Sequence, residues 1–233
     1  MIIRLFLSLT LCVLFAFPQS SNAQTRRFEN TAFNLCTNDE PRVVVKLATA
    51  PTKYIKTQNA QSLTAMHNTG QGVTLGLAGG PISITTKGQF QVTSQSGKAC
   101  VELKNLEVLF WAKPQILIAS NFQKGSCEYR EVLAHEQKHI RTLRQFVKQQ
   151  APELKKEVRQ IVKTSRVRYK VQENKISSAQ KQIEQQIYSR LVAFQDKIMP
   201  ILESRQKAID TPEEYARVAS KCDNWGKKLS SGH

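Results

Sequence analysis

The sequence changes period at Cys127. Before it, short apolar runs such as "RVVVKLAT", "GVTLGLAGG", "ISITTKG", "QFQVTSQSG", "ACVELKNLEVLFWA" and "QILIAS" are separated by Gly, Pro and Ser. That is the pattern of strands joined by turns. After it, apolar residues recur at helical spacing. Ile176, Ile183, Ile187, Leu191, Phe194, Ile198, Leu202 and Ile209 fall on one stripe of a 3.6-residue helix. A chain built this way is expected to be α+β, with an antiparallel sheet of about five to six strands followed by helices. The helices are predicted over residues 128–150, over 152–175 after Pro152, and over 176–209 with a kink at Pro200. The stretch "DTPEEY" signals a last short helix, with Thr211 as N-cap, Pro212 at the first helical position and Glu214 three residues after the cap. This divides the chain into an α+β core at 24–150, a basic helical hairpin at 151–209 and a short C-terminal helix within 210–233 packing back on the core.

Residues 1–23 are excluded from the fold. "MIIR" carries one positive charge, "LFLSLTLCVLFAF" is apolar, and "PQSSNA" ends in small residues. This is the layout of a secretory signal peptide, with cleavage expected after Ala23. The apolar run is too short for a comfortable membrane span, and no later segment is apolar enough to be one. We therefore expect an exported protein, periplasmic or secreted from a bacterial envelope. Beyond the leader stand four cysteines, Cys36, Cys100, Cys127 and Cys222. An even number in an exported chain points to two disulfides, with three possible pairings. The expected pairing is Cys100–Cys127, closing a β segment ahead of the first helix, with Cys36–Cys222 tying the ends.

The segment "REVLAHEQKHIRTLRQF" carries two of the four histidines. On a helical wheel with Val132 at zero, Tyr129, Leu133, Ile140, Leu143 and Val147 span about 20° to 100°. Glu136 falls at about 40°, inside that apolar stripe, and His135 and His139 at about 300° and 340°, on its edge. An unpaired carboxylate there costs several kcal/mol, on the order of what an isolated buried charge costs. A cation held by the neighbouring imidazoles compensates. Residues i and i+4 project from one side of a helix, so both rings reach one ion. The intervening carboxylate is rotated towards a water activated by that ion.

"HEQKH" resembles the HExxH signature of the zincin metallopeptidases. The longer stretch "GSCEYREVLAHEQKH" and the later "DTPEEYARVASKCDNW" are similar to small exported bacterial proteins regarded as zinc proteases. The resemblance implies a zincin-like fold in which the sheet's edge strand lines the cleft. It implies Zn2+ as cofactor, His135 and His139 as metal ligands, Glu136 as general base, and a peptide or protein substrate. Lys138 and Arg141 depart from the longer consensus, which has uncharged and apolar residues there. The HExxHxxGxxH extension is absent, so a downstream carboxylate is needed as third ligand, as in the glutamate-liganded zincins. Glu214 is the expected one. It also completes a Thr211–Glu214 capping box, a structural role. Asp210 and Asp223 rank below it.

Charge supplies the competing reading. With Arg4 lost in the leader, 33 Lys and Arg face 18 Asp and Glu, a net of +15. Residues 138–175 hold twelve of these cations and three acids. Such a field attracts anionic envelope surfaces, and a non-catalytic envelope-binding protein with a degenerate or structural metal site is the alternative. Nucleic acid is not an expected partner, because the basic run has neither aromatic interleaving nor a known motif, and a leader is the wrong context.

Overall fold

The computed structural model describes residues 35–67 and 72–230, so the expected leader lies outside the described residues. The chain is mixed α and β. Seven strands are described: β1 (Arg42–Thr49), β2 (Lys53–Ile55), β3 (Gly76–Gly79), β4 (Ile82–Gln95), β5 (Lys98–Ala112), β6 (Gln115–Ile118) and β7 (Arg168–Gln172). Five helices accompany them: α1 (Ala60–His67), α2 (Cys127–Thr164), α3 (Ile176–Lys207), α4 (Pro212–Ala219) and α5 (Trp225–Ser230).

The strand β5 organises the larger sheet. Its turn to β4 is a two-residue hairpin loop, Ser96 and Gly97, both at positive φ, the geometry that matches strand twist. Along its other edge β5 pairs β7 over residues 98–102 and β1 over residues 105–112. The smaller sheet has the order β2-β6-β3. Three of the five strand pairings are antiparallel, as expected. The β1–β5 and β2–β6 pairings are parallel, so both sheets are mixed. Parallel neighbours need a long crossover, and the chain between Thr49 and Lys98 provides one.

The expected helix break at Pro152 is absent, and α2 is continuous through it. Pro152 faces water, where the carbonyl it leaves unpaired one turn back is solvated. The predicted helix over 152–175 ends instead at Thr164. Val167, then Tyr169 and Val171 of β7, alternate inward, a two-residue period inside a basic run. The stripe on α3 holds: Ile183, Ile187, Leu191, Phe194, Ile198 and Leu202 are buried.

The helix α2 serves two cores. Val132 and Ile140, near its start, pack with Leu63, Ile116 and Phe122 of the smaller sheet's cluster. Leu143, Phe146, Leu154, Val158 and Ile161 pack with β4, β5 and α3. The His-Glu-His turn lies where the two clusters meet.

The disulfide expectation is corrected. The bridges are Cys36–Cys100 and Cys127–Cys222. From Cys100 the strand β5 runs twelve residues to Ala112, about 40 Å at 3.3 Å per residue, before β6 leads into α2. That run carries Cys127 far from Cys100. Two disulfides agree with an oxidising compartment. Among the described residues no helix is long and apolar enough to cross a membrane.

Candidate metal centre

The helix α2 is started by Ser126, whose hydroxyl accepts from the Tyr129 backbone N–H. Two turns later it presents His135, Glu136 and His139, which are 7 %, 5 % and 6 % exposed. The long α3 returns antiparallel along α2 and delivers Gln206. The turn after it delivers Asp210, and Thr211 caps α4 by accepting from the Glu214 N–H. The Cys127–Cys222 bridge fastens the far end of α4 to the start of α2.

Three donor atoms converge. Asp210 Oδ1 lies 3.1 Å from His135 Nε2 and 3.2 Å from His139 Nε2, and the two Nε2 atoms are 3.3 Å apart. These residues form a group that could hold a metal ion. The expected third group, Glu214, is not in it. Its carboxylate Oε1 stands 3.2 Å from His135 Nδ1, on the opposite side of the ring. Geometry decides this: Thr211 and Glu214 are locked into the α4 cap, and the residue just before the cap, Asp210, is the one aimed between the histidines.

The outer partners fix the tautomers. Glu214 accepts from His135 Nδ1–H. Gln206 Oε1 accepts from His139 Nδ1–H at 2.6 Å, and the Gln206 amide donates to the His139 carbonyl at 3.2 Å, which sets the amide's orientation. A neutral imidazole with its proton on Nδ1 has a lone pair on Nε2. Two such lone pairs and a carboxylate oxygen then face one point. Their mutual repulsion is relieved by a cation, either a metal or protons on the rings. Accordingly both histidines have raised pKa values. Burial pulls them down, and the hydrogen bonds to Asp210, with Glu214 for His135 and Gln206 for His139, outweigh it. Burial pushes Asp210 up, but the two imidazoles hold it well below the usual carboxylate range.

Glu214 is gripped from several sides. Arg217 donates to both its oxygens at 2.9 and 3.0 Å, and Lys138 Nζ lies 2.6 Å from Oε1. The Arg217 guanidinium, foremost, keeps its pKa well below the ordinary value. The charged residue inside HExxH thus has a place, because Lys138 neutralises the carboxylate that orients His135. Arg217 also reaches Glu131 at 3.3 Å, which ties α4 to α2 a second time.

Glu136 sits against β3. A Cβ on Gly76 would come within 2.5 Å of Glu136 Oε1 and 2.7 Å of Val132, so only glycine admits the carboxylate there. Burial pushes the Glu136 pKa up to about 7, against the pull of the two imidazoles. The Tyr215 ring is 5.8 Å from that of His135, and burial, then the Asp210 charge, lifts its phenol to about 12. The phenol therefore stays protonated.

Sequence reasoning ranked Asp210 below Glu214 and missed Gln206. The available signal was the capping box, which commits Glu214 to the helix start and leaves the preceding acid free. Comparison with known proteins finds no matching family model, no matching curated protein and no matching solved structure.

Proposed function

We propose that the protein is an exported zinc-dependent peptidase, with His135, His139 and Asp210 as metal ligands and Glu136 as general base. The observation that carries this reading is the convergence of two imidazole Nε2 atoms and one carboxylate oxygen on the helix turn that also carries the buried Glu136. Tetrahedral zinc with bonds of about 2.0–2.2 Å would separate its ligand atoms by about 3.3–3.6 Å, so the group would open by a few tenths of an ångström to take it. The three separations here are 3.1, 3.2 and 3.3 Å. Three protein ligands leave one position open, the arrangement of a catalytic rather than a structural ion.

When bound, zinc would polarise a substrate carbonyl and acidify water. The chain's own groups do the rest. Glu214 and Gln206 hold the rings so that Nε2 faces inward, an outer shell that raises ligand basicity. Glu136, with a pKa of about 7, takes a proton from the attacking water and returns it to the leaving amine, since such a group works in both directions at neutral pH. The strand β3 is the outer strand of its sheet. Among the described residues no strand pairs its outer edge, which would offer backbone groups to an extended peptide.

The test is metal content and peptide hydrolysis of protein purified without chelators. We expect one zinc per chain and cleavage of a mixed peptide pool. Glu136→Gln should keep the zinc and lose on the order of 10²–10⁴-fold in rate. Wild type without zinc would sink the proposal. Zinc without any Glu136-dependent cleavage would return the site to a structural role.

A further inference from the structure

Away from the metal centre, a groove opens at the other end of α2. It encloses about 550 Å³ between Pro41 and Val43 of the β1 approach, Arg159, Val162 and Lys163 in the last turns of α2, and Arg166 to Arg168 leading into β7. Arg159 lies twenty residues beyond His139 on the same helix, about 30 Å at 1.5 Å per residue.

The walls are unequally charged. Four cations, Arg159, Lys163, Arg166 and Arg168, face one acid, Glu40. Arg168 is already committed, because its guanidinium Nε lies 3.3 Å from the buried Glu102 carboxylate and another of its nitrogens donates to the Asp39 carbonyl. Arg166 lies over the Tyr169 ring at 4.4 Å and donates to the Arg168 carbonyl. Those contacts hold the group in place without neutralising it. Arg159 and Lys163 have no ion-pair partner among the described residues. The C-terminal end of a helix dipole accounts for about half a unit of negative charge. With Glu40 on the wall as well, about one and a half positive charges remain uncompensated around the concavity.

A fold gains nothing from three like charges set around a pit, since they repel. A ligand that brings negative charge gains from all three. The floor is not purely polar, because Val43, Val162, Val167 and Pro41 also line it. We infer that this groove binds a phosphate ester, the phosphate against Arg159, Lys163 and Arg166 and the organic part against the valines. Arginine suits that task through its planar fork of donors. The concave shape selects a discrete group over a flat charged sheet.

The test uses the full mature chain and calorimetric titration with glycerol phosphate and pyrophosphate at low salt. We expect saturable binding. R159Q/K163Q should weaken it tenfold or more, and K155Q/K156Q, two cations on the same helix outside the groove, less than twofold. Thermal melts confirm that both variants fold. Absence of binding, or equal weakening by both pairs, overturns the site in favour of a diffuse basic field. Vesicles of phosphatidylglycerol then separate the sources. Competition with pyrophosphate identifies a lipid headgroup as the ester, and binding of pyrophosphate unaffected by vesicles identifies a soluble one.

Discussion

Gln206 and His139 are joined twice, the amide oxygen accepting from the ring Nδ1–H at 2.6 Å and the amide nitrogen donating to the His139 carbonyl at 3.2 Å. The pair locks the ring's rotation and its tautomer together. Gln206→Leu should therefore lower zinc affinity by about 10- to 100-fold, the usual effect of removing such an outer partner. Competition against a chromogenic chelator measures it. Gln206→Glu, which keeps the acceptor, should recover most of the loss.

Asp210 and Glu214 contact opposite nitrogens of one ring, and their variants should rank accordingly. Asp210→Ala removes a ligand atom and should abolish stoichiometric zinc. Glu214→Ala should leave one zinc per chain with affinity lowered by about tenfold. The same chelator titration reads both, and the opposite ranking would make Glu214 the ligand.

Gly76→Ala pushes a methyl into the Glu136 carboxylate and Val132. The carboxylate must move while the two histidines stay in place. We expect zinc content near wild type and peptide hydrolysis reduced by about 10²-fold, the cost of displacing a reacting group by an ångström. Loss of zinc in parallel with activity would show that the glycine acts on the fold rather than on Glu136.

Metal-free protein should be most stable at mildly acidic pH. Glu136 titrates at about 7 when folded and at 4.5 by its ordinary value. The folded state thus keeps a proton that the unfolded state has lost. Stability falls as pH rises from 4.5 to 7, by about 3 kcal/mol in the limit of full burial. The raised histidines act in the same sense, their contribution being full below 6.5 and lost as pH rises through their folded values. Asp210 and Glu214, both lowered, act oppositely, contributing above their ordinary values and losing that contribution as pH falls. Urea melts in chelator at pH 5.5 and 8 check the order, and Glu136→Gln should flatten the decline. Zinc binding should strengthen over the same rise in pH, because the ligands must shed protons to bind.

Breaking Cys127–Cys222 should harm the metal site more than breaking Cys36–Cys100. Each bridge closes a long loop and stabilises the fold by about 2–4 kcal/mol. Only the first fastens α4, with Asp210 and Glu214 at its start, to the histidine helix. Cys127→Ser/Cys222→Ser should weaken zinc affinity at least tenfold at a temperature where the protein is still folded. Cys36→Ser/Cys100→Ser should change it less than threefold.

What could be read in the sequence was what depends on a single element. The burial of Glu136 followed from its place on one helix, and the α3 stripe from one period. What needed two elements was hidden. Asp210 meets the histidines only because α3 returns along α2, and the capping box that leaves this acid free does not say what it meets. The disulfides followed sheet dimensions rather than chain order. Pro152 inside α2 and the strand at Arg168–Gln172 misled for a different reason. A proline on a wet face is tolerated, and the two inward residues of a short strand, Tyr169 and Val171, were masked by the surrounding cations.

The 71-residue separation of His139 and Asp210 also sets an order of events. During synthesis the two histidines emerge well before the acid, and Cys222 later still. A nascent chain that ends before Gln206 has two of the three converging atoms and neither Gln206 nor Glu214 to aim them. The three groups thus cannot meet until synthesis has passed Asp210.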